Sequence, residues 1–382
     1  MGAAAKVEGD VEQGYGPVAD EFRAAFERHG ELGAAFAAYV GPRKVVDLWG
    51  GVADRGSGEL WKENTLQLVF SGTKGLTAGC MLSLLEAGLL ELDRPVGSYW
   101  PEFASAGKDE ITVRDVVSHQ AGLPAITTPL TSAGVVDGVR MAGLLAAQAP
   151  RWPEGRRLAY HALTYGWLCD ALARRVCGES IGELFSRRIA KPLEIEAWIG
   201  LPPEHEGRVS VLELDEPLVA EPLRDPEYGR LIYGNPPLLE DTRWWNTPAC
   251  HVAEMPAANG IASARALAKY YSCLANRGAL DGVRILSPDS VVLGRRELSR
   301  DDDAYFGEPM AFGVGFELQT ELKVLGPFDD AFGHCGAGGS THGGWPDTGV
   351  GFSYCMNLMR DNTTDERGRR LLTTLARSMS IL

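Results

Sequence analysis

Apolar residues recur along this chain with two different periods, and the change from one to the other divides it into sheet-like ends and a helical middle. Residues 17–28 have helical spacing. Two strand-like runs follow, 34–40 and 44–52, joined by Gly41-Pro42, whose turn chemistry predicts a hairpin. The apolar run Leu66-Gln67-Leu68-Val69-Phe70 then feeds a helix in which Leu76, Ala78, Met81, Leu82, Leu85 and Leu89 share one face, with Gly88 as its stop. From about residue 93 to 246 helices and Pro-bounded loops dominate. One helix is expected over 112–119, ended by Ala121-Gly122-Leu123-Pro124, and another over 163–176; a third follows at 264–276. Sheet signals return at 312–319, 332–335 and 350–358, the last bounded by the turn Pro346-Asp347-Thr348-Gly349, before a final amphipathic helix at 367–378. Strands at both ends with helices between predict an α/β (α+β) domain formed from residues 15–92 and 247–382, with a mainly helical domain, 93–246, inserted.

Composition narrows the class. The 382 residues are 45% hydrophobic and 23% charged, enough for one large domain or two subdomains. A formal net charge of −14 argues against a nucleic-acid backbone or an anionic membrane surface as partner. The first ten residues have no long apolar core and soon turn acidic, unlike a signal peptide, and no stretch is apolar for long enough to span a bilayer. The seven cysteines are odd in number and scattered, without a Cys-x-x-Cys pair, which signals neither zinc nor a redox pair. These features lead to the expectation of a cytoplasmic protein. The histidines show no pair at metal-ligand spacing, so neither metal nor cofactor is expected.

The chemistry concentrates in three places. Ser71-Gly72-Thr73-Lys74 opens the helix after the first apolar run, and a Ser and a Lys three apart stand one above the other on a first helical turn. That arrangement gives a nucleophilic hydroxyl an amine partner beside helix N–H groups suited to a developing oxyanion; the plainer alternative is that Ser71 is an N-cap. Tyr160 ends a run that begins with Trp152 and a Pro-Glu-Gly turn, and its hydroxyl could share a proton with the lysine; otherwise it is a buried aromatic with a wet hydroxyl. Phe332-Gly333-His334-Cys335-Gly336-Ala337-Gly338-Gly339-Ser340 is denser in glycine than strand packing explains, unless the strand is bulged or a ligand approaches its backbone.

Together, Ser71-Gly72-Thr73-Lys74, Tyr160-His161-Ala162 and His334-Cys335-Gly336 resemble the three motifs of the serine β-lactamase and penicillin-binding-protein superfamily, and specifically its class C-like esterase branch. The stretches 113–124 and 256–263 resemble that family as well, and the likeness runs from about Phe22 to the C-terminus. The resemblance implies a β-lactamase-like fold, a central antiparallel sheet flanked by helices. It implies Ser71, Lys74 and Tyr160 as catalytic residues, an oxyanion hole from the backbone N–H groups of Ser71 and Ala337, and His334, Gly336 and His161 lining the substrate site. Two departures bear on substrate. Ala162 stands where lactamases usually carry Asn, and His334 replaces the Lys that offers a cation to a penicillin-type carboxylate.

A rival nucleophile, Ser180 in Gly178-Glu179-Ser180-Ile181-Gly182, matches the Gly-x-Ser-x-Gly pattern. It follows a helical segment rather than a strand, however, and Glu183 three residues on makes it a capping box, with Gly178 as the preceding C-cap. The expectation is therefore a serine hydrolase acting on a small-molecule acyl substrate, most simply a carboxylesterase. Alternatives are an acyltransferase using the same acyl-enzyme, a hydrolase of D-amino-acid amides or lactams, and a silent binding protein on this fold.

Overall fold

The computed structural model describes residues 6–152, 156–215, 218 and 221–379. The N-terminal part supplies β1 (Val7–Val11), α1 (Gly16–Arg28), β2 (Gly33–Val40), β3 (Arg43–Asp54) and the short β4 (Glu59–Leu60). The helices α2 (Gly72–Glu86), α3 (Thr164–Cys177) and α4 (Ala264–Ala275) follow, among shorter elements. The C-terminal part adds β5 (Ser299–Asp302), β6 (Pro309–Phe312), β7 (Glu317–Leu318), β8 (Phe332–Cys335), β9 (Thr341–Trp345), β10 (Val350–Met356) and α5 (Arg367–Ser378). These ten strands make one antiparallel sheet of order β1-β3-β2-β10-β9-β8-β7-β6-β5, with β4 paired to β3. Its centre joins the two ends of the chain, because β10 pairs β2 from Val350↔Val40 to Met356↔Ala34.

The central strand β10 is buried at every position, so both faces must be covered. On one face α4 comes down backbone to backbone: a Cβ on Gly351 would lie 2.0 Å from the Ser272 nitrogen, which only glycine permits. Three residues along, Tyr354 points to the opposite face. There its hydroxyl donates to Glu31, and the Arg367 guanidinium donates to Glu31 at 2.7 Å and to Asp365 at 2.8–3.0 Å. A guanidinium 3% exposed is tolerable because two carboxylates meet it, and the cluster fastens α5, which packs on α1, to the sheet.

The strand expected over 312–319 is two strands, β6 and β7. The chain turns between them, with the Gly313 N–H donating to the Phe316 carbonyl at 2.9 Å. Gly315 is left-handed (φ +74°), and the Tyr165 hydroxyl fills the space its Cβ would take. Four sheet strands lie outside the expected ones: β1, β4, β5 and the interior strand β9, Thr-His-Gly-Gly-Trp, whose glycines hide its period. Of residues 66–70 only Gln67–Leu68 is a strand; it pairs with Ile261–Ala262, which in turn pairs with Ala197–Trp198. That small sheet holds the entry to α2 against the segment preceding α4. No helix among the described residues is long and apolar enough to cross a membrane.

Candidate active site

The chain enters α2 through a strained corner. Phe70, a bulky residue, has φ +44°, and Ser71 after it is already helical (φ −64°, ψ −12°). Thr73 braces the corner: its hydroxyl donates to the Phe70 carbonyl at 2.5 Å and accepts the Gly260 N–H at 2.7 Å. Gly72 is fixed by its neighbour, since a Cβ there would lie 2.5 Å from Cδ2 of His342 on β9. The N-cap alternative for Ser71 fails, because its side chain caps nothing. Instead its hydroxyl faces Lys74, with Nζ 3.1 Å from Oγ.

Lys74 is fully buried, and its amine also donates to the carbonyls of Ala162 at 2.7 Å and Ala257 at 2.9 Å. Burial pushes its pKa well below the ordinary lysine value, against the opposing pull of the Glu317 charge. Two carbonyls suffice for the two N–H bonds of a neutral amine, which leaves its lone pair for the Ser71 proton. The carbonyl of Ala162, rather than any side chain at that position, thus helps to hold the lysine.

Tyr160 is 8% exposed and lies against this pair, its ring centroid 4.7 Å from Lys74 Nζ. Burial raises its phenol well above the usual value, as does the neighbouring Tyr233, while a hydrogen bond with Ser71 works the other way. The expected Pro-Glu-Gly turn, residues 153–155, lies outside the described residues. What locates Tyr160 is Asp303, 1% exposed. Its Oδ2 accepts the Tyr160 N–H at 2.7 Å, and its Oδ1 accepts those of Tyr305 and Phe306 at 2.9 and 2.8 Å.

The histidines divide. His161 spends both ring nitrogens on backbone: Nδ1 donates to the Ala159 carbonyl at 2.6 Å and Nε2 accepts the Leu123 N–H at 3.1 Å. Its N–H donates in turn to His119 Nδ1 at 3.0 Å. Burial holds the His161 ring down at about 4, so it is neutral, with both ring nitrogens engaged by backbone. His334 does stand beside Tyr160, with ring centroids 6.0 Å apart; Nδ1 donates to the Cys335 carbonyl at 2.8 Å and the buried Nε2 has no partner among the described residues. It too is neutral, held down to about 3 by burial and by the nearby Lys74.

β8 brings the glycine-rich segment to the corner. A Cβ on Gly336 would lie 2.4 Å from the Val69 carbonyl oxygen, so the two backbones touch. The Gly336 N–H donates to the Ser340 carbonyl, Asn362 donates to the Gly336 carbonyl, and Gly338 and Gly339 turn the chain at φ +90° and +115°. Among the described residues neither the Ser71 N–H nor the Ala337 N–H meets a hydrogen-bond acceptor. Ser180, the rival nucleophile, is a cap: its side chain accepts the Glu183 N–H, Glu183 returns the bond, and left-handed Gly178 ends α3.

Asp303, His342, Glu317 and the two carbonyls that hold Lys74 escaped the sequence reading. Asp303 is one of three consecutive aspartates, with nothing local to distinguish it, and a carbonyl has no sequence signature. His342 has no local signal either, because its partnership with Gly72 is a contact across 270 residues. Among the described residues no cluster of His, Cys, Asp and Glu could hold a metal ion.

The family model described as Beta-lactamase matches residues 18–376. The esterase/beta-lactamase LipL of Mycobacterium tuberculosis is 35% identical, covering 94% of this chain and 84% of its own. The crystal structure of a penicillin-binding-protein homolog from Caulobacter crescentus superposes with a TM-score of 0.90 at 34% identity, over 98% of this chain and 100% of that one. A family VIII carboxylesterase gives the same TM-score of 0.90 at 35% identity and the same coverage. The chain belongs to the Beta-lactamase family, and it is a serine hydrolase of that family.

Proposed function

We propose that the protein is a carboxylesterase that cleaves small-molecule esters through an acyl-enzyme on Ser71. The observation that carries this reading is the setting of Lys74, a buried amine held by two carbonyls with its third contact on the Ser71 hydroxyl. Ser71 attacks the ester carbonyl as its proton passes to Lys74. The negative charge then growing on the carbonyl oxygen is met by the free N–H groups of Ser71 and Ala337, in a site where burial strengthens each such bond. Tyr160, beside both groups, passes the proton on to the departing alkoxide. Water enters by the reverse route, activated by the same Tyr160–Lys74 pair, and releases the acid.

Ester is favoured over lactam for two reasons. Ala162 has no side-chain amide with which to hold a substrate amide, and the neutral His334 offers no fixed cation. The name of one relative, a family VIII carboxylesterase, supports the same choice. The test is nitrophenolate release from p-nitrophenyl butyrate by the wild type and by Ser71→Ala. Sustained turnover that falls by at least about 10⁴-fold in the variant is the expected result. Retained activity in Ser71→Ala overturns the assignment, and a burst that stops after one equivalent turns it toward acyl transfer.

A further inference from the structure

One partly buried carboxylate near His334 has no part in the steps above. β7 pairs with β8 only at Leu318↔Phe332 and Glu317↔Gly333, so the edge of β8 is open from Cys335 onward. The Glu317 side chain closes the first position: Oε2 accepts the Cys335 N–H at 2.9 Å and lies 3.6 Å from His334 Nδ1. The Cys335 carbonyl on the same edge is taken by His334 Nδ1. Two residues further in sequence, in the turn that follows β8, is the free N–H of Ala337. The carboxylate thus stands against His334, whose ring faces Tyr160 with centroids 6.0 Å apart, and its side chain keeps 22% of its surface exposed. Its charge acts to raise the pKa of Lys74 and of Tyr160 alike, while burial raises the Glu317 carboxyl itself and the bond from the Cys335 N–H opposes that rise. The wall built by β8 thus presents a carboxylate and a neutral imidazole.

We propose that Glu317 is a specificity-determining residue that selects against esters carrying a carboxylate near the reacting carbonyl, so that the enzyme takes neutral acyl groups. The inference rests on the esterase reading above. Like charges about 8 Å apart at an effective dielectric constant near 20 repel by a factor of about 30 in rate, reduced to about tenfold by salt.

The experiment compares kcat/KM for p-nitrophenyl butyrate and for p-nitrophenyl hydrogen succinate, with spontaneous hydrolysis subtracted, in the wild type and in Glu317→Gln. The amide keeps an oxygen to accept the Cys335 N–H while removing the charge. The expected result is a succinate-to-butyrate ratio that rises about tenfold in Glu317→Gln. An unchanged ratio overturns the proposal. Should that variant not fold, Glu317→Asn decides in the same way: its ratio must exceed that of the wild type, and an equal ratio overturns the proposal. Loss of turnover on both esters by the wild type overturns the esterase reading itself, whereas turnover of butyrate with an unchanged ratio overturns only the role of Glu317.

Discussion

The backbone N–H of Tyr160 donates to the carboxylate of Asp303 over 2.7 Å, joining segments 143 residues apart in the chain. This bond, with those from Tyr305 and Phe306 to the same carboxylate, sets where the tyrosine stands relative to Ser71 and Lys74. Asp303→Ala strips three buried N–H groups of their acceptor and should lower stability by about 2–4 kcal/mol in urea titration. Asp303→Asn can still serve Tyr305 and Phe306 through its oxygen, but turns an amide N–H toward that of Tyr160. It should lose less stability while kcat drops more than KM changes; equal loss of stability in both variants would make Asp303 merely structural.

The state of Lys74 predicts the direction of the pH profile. An amine acting as base must be neutral, and burial depresses its pKa well below that of free lysine. Activity should therefore be present at neutral pH and fall on the acid side as Lys74 takes up its proton, with no matching loss of fold by circular dichroism. Lys74→Arg keeps a cation that cannot deprotonate in proteins and should reduce kcat by about 10³-fold or more at every pH. A variant that recovers activity at high pH would place the base elsewhere.

Gly72 and His342 form a steric pair. The imidazole of His342, anchored by its Nδ1 to the Ser353 hydroxyl at 2.7 Å, occupies the space of a Cβ at Gly72. Gly72→Ala should cost about 1–3 kcal/mol by overpacking and displace the first turn of α2, lowering kcat. Adding His342→Ala should return part of the lost stability, giving a coupling energy of about 1 kcal/mol in a double-mutant cycle. Strictly additive effects would show that the clash relaxes elsewhere.

What the sequence determined by itself was local. The apolar run announced α2, although that helix is buried on every side from Gly72 to Leu84 and ends at Glu86, short of Leu89. Ser71 and Lys74, three residues apart, had to share its first turn. The glycine-dense run marked the strand whose backbone comes up against Val69, and Ser180 was identified as a cap by Glu183 three positions on. Each of these is a short-range constraint of helix or turn geometry, written in neighbouring residues. Tertiary structure decided the remainder. β9 lay hidden because its glycines erase the alternation by which a strand is read, and 312–319 broke in two because the Tyr165 hydroxyl fills the space at Gly315. Only packing could show that His161 spends its ring on backbone, that Asp303 rather than an adjacent aspartate holds Tyr160, and that two distant carbonyls hold Lys74. Those facts depend on desolvation and on hydrogen bonds between segments far apart in the chain, and no residue's immediate neighbours record which buried group it will have to satisfy.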